Sequence, residues 1–253
     1  MTALNMNSPQ GKALLAAIRG GDYAHPGEEE AIARVWSGLP KRPAQAVLDA
    51  GCGRAGTAAC VQRHGWGRVI GFDVDETSIA AARTAYPELT LAACDVLAAS
   101  AVVGPLQPEG FAIIYLFSSF YAFPDQPGAL RALRQLARPG ANLALFDYTD
   151  PHGRFVPGAP GADRFADWRP LRPASVPKLL TDTGWRMDSF HNLTADFQRW
   201  YAEFLEKIAA RRAALDTEFG AELVDFVRGY YTELLDGLHA GRLGGALVYA
   251  NAV

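Results

Sequence analysis

The chain has 253 residues, of which 49% are hydrophobic and 20% charged, so it can bury a full α/β core and is not dominated by disorder. A formal charge of −3 supplies no basic field for tracking a nucleic-acid backbone, and three widely spaced cysteines (Cys52, Cys60, Cys94) offer neither a disulfide framework nor a structural zinc site. No apolar run approaches the ~18 residues of a membrane span, and the short run Ala13 to Ile18 has no cleavage site after it, so a soluble, cytoplasmic chain is expected.

In chain order, Pro26-Gly27-Glu28-Glu29-Glu30 opens a helix through Trp36, its three carboxylates placed where the helix dipole favours negative charge. Residues 1–43 are therefore read as an N-terminal helical cap. From 44 to 150, short apolar runs alternate with amphipathic stretches, the pattern of a parallel sheet with helices on both faces. The strand candidates are Ala46 to Asp49, Arg68 to Phe72, Leu89 to Ala93, Phe111 to Leu116 and Asn142 to Phe146. Between them lie helices at Ala55 to His64, Glu76 to Ala85 (capped by Asp75 or Thr77) and Asp125 to Ala137, the last stopped by Pro139-Gly140. Residues 151–177, dense in proline and glycine, read as a long substrate loop. Ser175 then caps a helix ending at Gly184, and Trp185 to Leu193 is a sixth strand. Two amphipathic helices follow within 194–241, with apolar stripes through Phe197, Trp200, Tyr201, Phe204 and Ile208 and through Leu223, Phe226, Tyr230 and Leu234. They read as a lid inserted before a final strand, Ala246 to Val253.

The informative segment is Val47-Leu48-Asp49-Ala50-Gly51-Cys52-Gly53-Arg54-Ala55-Gly56, an apolar strand that ends in a glycine turn and enters a helix. Glycines there let backbone approach a ligand at the carboxyl edge of the sheet, where open α/β folds bind. Gly51, Gly53 and Gly56 also fit the G-x-G-x-x-G dinucleotide spacing, which leaves an NAD-dependent oxidoreductase as an alternative. Asp49 opposes it, because a carboxylate at a buried strand end repels a pyrophosphate and welcomes a cation. S-adenosylmethionine has an ammonium group and no phosphate. Asp73, at the end of Gly71-Phe72-Asp73, is placed to accept both ribose hydroxyls, and Cys94-Asp95-Val96 to receive an adenine amino group at Asp95 while Val96 packs on the ring.

With these residues the sequence resembles the class I S-adenosylmethionine-dependent methyltransferases: Val47 to Gly53, Gly71 to Asp73, Cys94 to Val96, and Arg138-Pro139-Gly140-Ala141-Asn142-Leu143 before the fifth strand carry the likeness over roughly residues 20 to 150. The resemblance implies a Rossmann-like, seven-stranded, mostly parallel sheet whose last strand is antiparallel. Because Tyr23-Ala24-His25-Pro26-Gly27 precedes the first motif, the chain looks most like the group of glycine, sarcosine and phosphoethanolamine N-methyltransferases and quinone C-methyltransferases. Two departures stand out: Ala55 replaces a frequent glycine, and Phe117-Ser118-Ser119-Phe120-Tyr121 stands where base-modifying enzymes carry Asn-Pro-Pro-Tyr.

The resulting expectation is methyl transfer to a small molecule, an amine nitrogen first. Tyr23, Asp49, Gly51, Cys52, Gly53, Asp73, Asp95, Val96 and Phe117 are expected to hold cofactor, and Tyr121, Trp168, Arg169 and Trp200 to meet substrate. His25 and His152 are the candidate catalytic groups, and no metal is expected. The helix-borne aromatics Trp200, Tyr201, Phe204, Tyr230 and Tyr231 fit either a cation cage or plain core. A protein that holds S-adenosylmethionine without turnover is a second alternative. Nucleic-acid and membrane partners are not expected; a homodimer is compatible with the sequence.

Overall fold

The computed structural model describes residues 5–155, 165 and 167–253. Among these, seven strands form one sheet in the order β3-β2-β1-β4-β5-β7-β6. The strands are β1 (Ala46–Ala50), β2 (Arg68–Asp73), β3 (Thr90–Ala93), β4 (Phe111–Phe117), β5 (Ala137–Thr149), β6 (Trp185–Asn192) and β7 (Gly244–Ala252). All neighbours pair in parallel except β7, which runs antiparallel to both β5 and β6. The chain winds outward in two directions from β1 and β4, so the carboxyl ends of these two strands flank the crevice where open α/β sheets bind ligands.

Two apolar cores lie on opposite faces of the sheet. One is closed by α1 (Pro9–Arg19), α2 (Glu28–Trp36), α3 (Gly56–Arg63), α4 (Glu76–Ala85), α8 (Thr194–Ala210), α9 (Arg212–Phe219) and α10 (Ala221–His239). The other is closed by α5 (Ala99–Val102), α6 (Gln126–Leu136) and α7 (Val176–Thr181). Central strands such as β1 and β4 are buried at every residue, which is why they read as continuous apolar runs.

Several boundaries depart from expectation for identifiable reasons. The helix before β5 ends at Leu136, ahead of Pro139-Gly140, and that pair lies inside the strand at a register shift against β4. A proline has no N–H to offer a ladder, and a bulge is where a strand tolerates one. Asp75 rather than Thr77 caps α4, its Oδ1 accepting the Thr77 N–H at 3.0 Å. Ser175 does not cap α7 with its side chain; the helix follows a turn at Pro173–Ser175 and stops at Thr181. The expected pair of helices before β7 is three, broken at Arg211 and at Gly220, whose φ of 86° only glycine adopts freely. Arg212 fastens the short middle helix by pairing with Asp216 at 2.7 Å and Asp225 at 2.6 Å. Much of the expected 151–177 loop falls on residues 156–164 and 166, outside the described residues. Among the described residues no helix is long and apolar enough to cross a membrane.

Trp200, expected to meet substrate, lies 4% exposed between α8 and α2. Its ring stands beside Phe197 and Phe146 (5.9 and 6.0 Å), and its Nε1 donates to Glu30 at 3.0 Å. Gly27, at φ 80°, gives way to it: a Cβ there would sit 2.5 Å from the indole. Trp200→Ala is therefore expected to cost about 3 to 5 kcal/mol in urea unfolding. A loss below about 1 kcal/mol would place the ring outside the core.

Candidate active site

A cavity of about 540 Å³ opens at the carboxyl ends of β1, β2 and β4. Its floor on one side is the turn after β1. The Gly51 and Cys52 N–H groups both donate to the Phe72 carbonyl at 2.9 Å, folding the turn over β2. Gly51 has φ 80°, and a Cβ there would stand 2.7 Å from the Ser119 Cβ, so no other residue fits between the two strand ends. Ala55, which heads α3, sits at φ 63°, a left-handed conformation that costs an alanine about 1 kcal/mol and that a glycine would adopt freely.

Asp73 lines this cavity and binds the turns on both sides of it: Oδ2 accepts the Gly53 N–H at 2.7 Å and Oδ1 the Asp75 N–H at 2.9 Å. Each oxygen retains a lone-pair direction for a ligand hydroxyl. Gly51, Gly53, Tyr23 and Phe117 also form the wall. Asp49 does not. It is 2% exposed beneath the turn, accepts the Tyr115 hydroxyl at 2.9 Å, and is pushed up to about 7 by burial and, secondarily, by the charge of Asp73. Cys52 is half-buried and absent from the wall. Asp95 is exposed and caps a short turn by accepting the Leu97 N–H at 2.8 Å, while Val96 is buried in the core on the opposite face. Neither lines the cavity.

The sequence reading has a helical cap over residues 1–43 but names no helix before Pro26, and α1 is the helix that covers this half. Ser8 caps α1 with Pro9 as its first residue, a start signal legible in the sequence, and Lys12, Leu15 and Ala16 project from it into the wall. Lys12 joins Asp75 in a short ion pair and reaches Ser78 at 2.7 Å. Asp22 and Arg54, paired at 2.8 Å, complete the rim.

The other half of the cavity is aromatic. Tyr121, Tyr148, Trp168, Tyr230, Tyr231 and Leu234 line it. The Tyr121 and Trp168 rings meet at 4.0 Å and Tyr148 lies 4.6 Å from Trp168 and 5.2 Å from Tyr121. Tyr148 shares a short hydrogen bond with Tyr201 behind the wall. Of the helix-borne stripe, Tyr230 and Tyr231 thus reach the cavity, whereas Trp200, Tyr201 and Phe204 are core. Arg169 lies outside this cavity; its backbone N–H donates to the Tyr121 carbonyl at 2.7 Å and its guanidinium turns to the Asp167 carbonyl. Between the two halves stands Ser118, at φ 47°, with its N–H on the Phe146 carbonyl at 2.7 Å. Its buried hydroxyl has no partner, an orphan at a strained residue of the kind that gathers at functional sites.

The two candidate histidines are not in the wall. His152 is exposed in the turn after β5. His25 is 1% exposed behind Phe117, their rings 4.5 Å apart. Its Nδ1 lies 3.1 Å from the Pro26 carbonyl, which can only accept, so Nδ1 carries the proton and Nε2 accepts from the Thr57 hydroxyl at 2.9 Å. Burial, reinforced by the charge of Arg19, lowers its pKa to about 3. The unfolded chain takes up this proton near pH 6.5 and the folded chain does not, so the stability is fully present above 6.5 and falls on acidification by up to about 1.4 kcal/mol per pH unit. The unfolding free energy of the wild type is expected to drop more steeply from pH 6.5 to 4.5 than that of His25→Gln. Parallel curves would mean that the folded chain protonates His25.

Comparison with known proteins places the chain among methyltransferase-like sequences and folds. A family model described as a methyltransferase domain matches residues 48–145. An O-methyltransferase of Pyrenophora dematioidea is 29% identical over 167 residues, 63% of this chain and 61% of that protein. The O-methyltransferase resE of Aspergillus sclerotiorum is 27% identical over 210 residues, 81% of this chain and 77% of its own length. Among solved structures, a Haemonchus contortus phosphoethanolamine N-methyltransferase 2 bound to phosphomonomethylethanolamine and S-adenosylhomocysteine superposes with a TM-score of 0.86 at 17% identity, over 98% of this chain and 58% of that one. At that identity the likeness concerns the fold. The chain spans less than two thirds of the Pyrenophora and Haemonchus proteins.

Proposed function

We propose that this chain, which carries a class I S-adenosylmethionine-dependent methyltransferase domain, methylates an oxygen atom of a small aromatic acceptor. The carrying observation is the division of the cavity. One half has the glycine turn and Asp73, and the other is an uncharged wall of tyrosine and tryptophan rings. Flat rings recognise flat ligands by offset and edge contacts worth about 0.5 to 1.5 kcal/mol each beyond burial. The names of the two fungal relatives support oxygen as the acceptor atom.

The residues present fit the cofactor. The space kept open at Gly51 admits a ligand against the backbone, and Asp73 offers free lone pairs to a ribose. S-adenosylmethionine, when bound, supplies a methyl group on a cationic sulfur that departs as a neutral thioether. Asp73 and the Gly51–Gly53 turn would hold it, with Tyr23 and Phe117 against its flank. Tyr121, Tyr148, Trp168, Tyr230 and Tyr231 orient the acceptor and exclude water, and α10 acts as the lid. Among the described residues of the aromatic half the ionisable side chains are tyrosines, and burial raises the pKa of Tyr121, Tyr148 and Tyr230. With both nitrogens of His25 engaged, the acceptor's own ionisation provides the nucleophile. An amine nitrogen is the second reading, favoured by the ring faces of Tyr121 and Trp168, which attract ammonium groups.

A panel of phenols, aromatic carboxylates and amines, read by S-adenosylhomocysteine release, is expected to give turnover with phenols or carboxylates; turnover confined to amines would select the second reading, and cofactor binding without product a silent binding protein. Asp73→Ala is expected to weaken S-adenosylhomocysteine binding by about 2 to 4 kcal/mol in calorimetry, since it removes acceptors of charge-assisted hydrogen bonds. Unchanged affinity would remove Asp73 from the cofactor site.

A further inference from the structure

Asp147 lies on β5, and its side chain is wholly buried behind the cavity wall, which it does not itself line. A carboxyl in that setting is expensive unless hydrogen bonds satisfy it. Here the bonds come from backbone. Oδ2 accepts the Phe120 N–H at 2.7 Å and the Tyr121 N–H at 3.3 Å, and Oδ1 accepts the Tyr148 N–H at 2.7 Å. Burial pushes the group up to about 7, and these N–H donors act against that rise.

The three donors belong to, or stand next to, the two tyrosines that face each other across the aromatic half of the cavity. The turn Phe120–Ala122 follows the strained Ser118, and β5 delivers Tyr148; the Asp147 side chain ties the two backbones together. On the outer side of the same turn, the Gln126 amide donates to the Phe120 carbonyl at 3.0 Å and to the Arg169 carbonyl at 2.7 Å, and the Arg169 N–H returns to Tyr121. The turn is therefore held from beneath by Asp147 and from outside by Gln126, and Trp168 follows because Arg169 is its neighbour.

We propose that Asp147 is the positioning residue of the acceptor chamber, fixing Tyr121 and Tyr148 at the separation that selects a flat acceptor. It touches no reacting atom. The proposal rests on the methyltransferase reading for what the chamber holds, but the brace itself is independent of that reading.

The test separates the two. In Asp147→Asn the amide can offer one oxygen where two were available, so at least one N–H loses its acceptor. Amide hydrogen exchange in residues 118–123 is expected to accelerate at least tenfold, with the glycine turn at 50–56 unchanged. With the best acceptor of the panel, KM is expected to rise 10- to 50-fold while the Kd for S-adenosylhomocysteine changes less than twofold. Gln126→Ala, at a partly exposed position, should move the same quantities in the same directions by a few fold, and it decides the matter if Asp147→Asn does not fold. Unchanged acceptor KM in the folded variant, or an equal loss of S-adenosylhomocysteine affinity, would overturn the proposal. Absence of turnover with any acceptor would instead reject the proposed function, and exchange at 118–123 would still decide the brace.

Discussion

A single carboxylate holds the glycine-turn half of the cavity in shape. Asp73 receives one N–H from the turn after β1 and another from the turn after β2, so two loops that approach the same point from different strands are fixed by one side chain. Hydrogen bonds to an ionised acceptor are each worth about 1.5 to 3 kcal/mol, enough to hold a glycine turn whose backbone entropy is otherwise unfavourable. The rest follows from that tether: Gly51 is pressed against Ser119, Asp75 is presented to Lys12, and α1 is brought across the cavity.

Much of this was legible because it is local. The turn from Asp49 to Gly56, the acid at Asp73 and the order of alternating strands and helices lie within short stretches whose spacing has a geometric meaning, and the limits from β1 through β4 agree with the structure to within a residue, whereas β5 extends beyond its expected Asn142 to Phe146 at both ends. Asp49 illustrates the limit of such reading. Its place at a strand end was evident, but whether its carboxyl faced a ligand or a neighbouring strand depended on Tyr115, 66 residues away. Asp95 likewise had the right address and a different employment, as the cap of its own turn.

The aromatic half was legible only in part: Tyr121 and Trp168 were expected to meet substrate and do line the cavity, whereas Tyr148 was not singled out and Tyr230 and Tyr231 fitted cage or core equally. Its rings come from the turn after β4, from β5, from the segment before α7 and from α10, and each sits in a local pattern that equally describes core. Helical spacing puts Trp200, Tyr201 and Tyr231 in comparable stripes, yet one ring packs under Gly27, one behind Tyr148 and one on the cavity. Only the tertiary arrangement decides between them. His25 shows the same ambiguity in a polar residue: a histidine beside a cofactor motif suggests chemistry, whereas the Pro26 carbonyl and Thr57 hydroxyl occupy both of its nitrogens.

The antiparallel placement of β7 has a consequence for the order in which the site is assembled. Strand β6 stands at the edge of the sheet and β7 separates it from β5, so β6 joins the sheet through residues 244–252. The contacts around Asp73 join residues between 51 and 75, so they close only short loops, whose entropy cost is small. Residues 230–234 lie far later in the chain, on the helix that leads into β7. During synthesis, the glycine turn and Asp73 are made well before the residues of α10 that complete the aromatic half of the cavity.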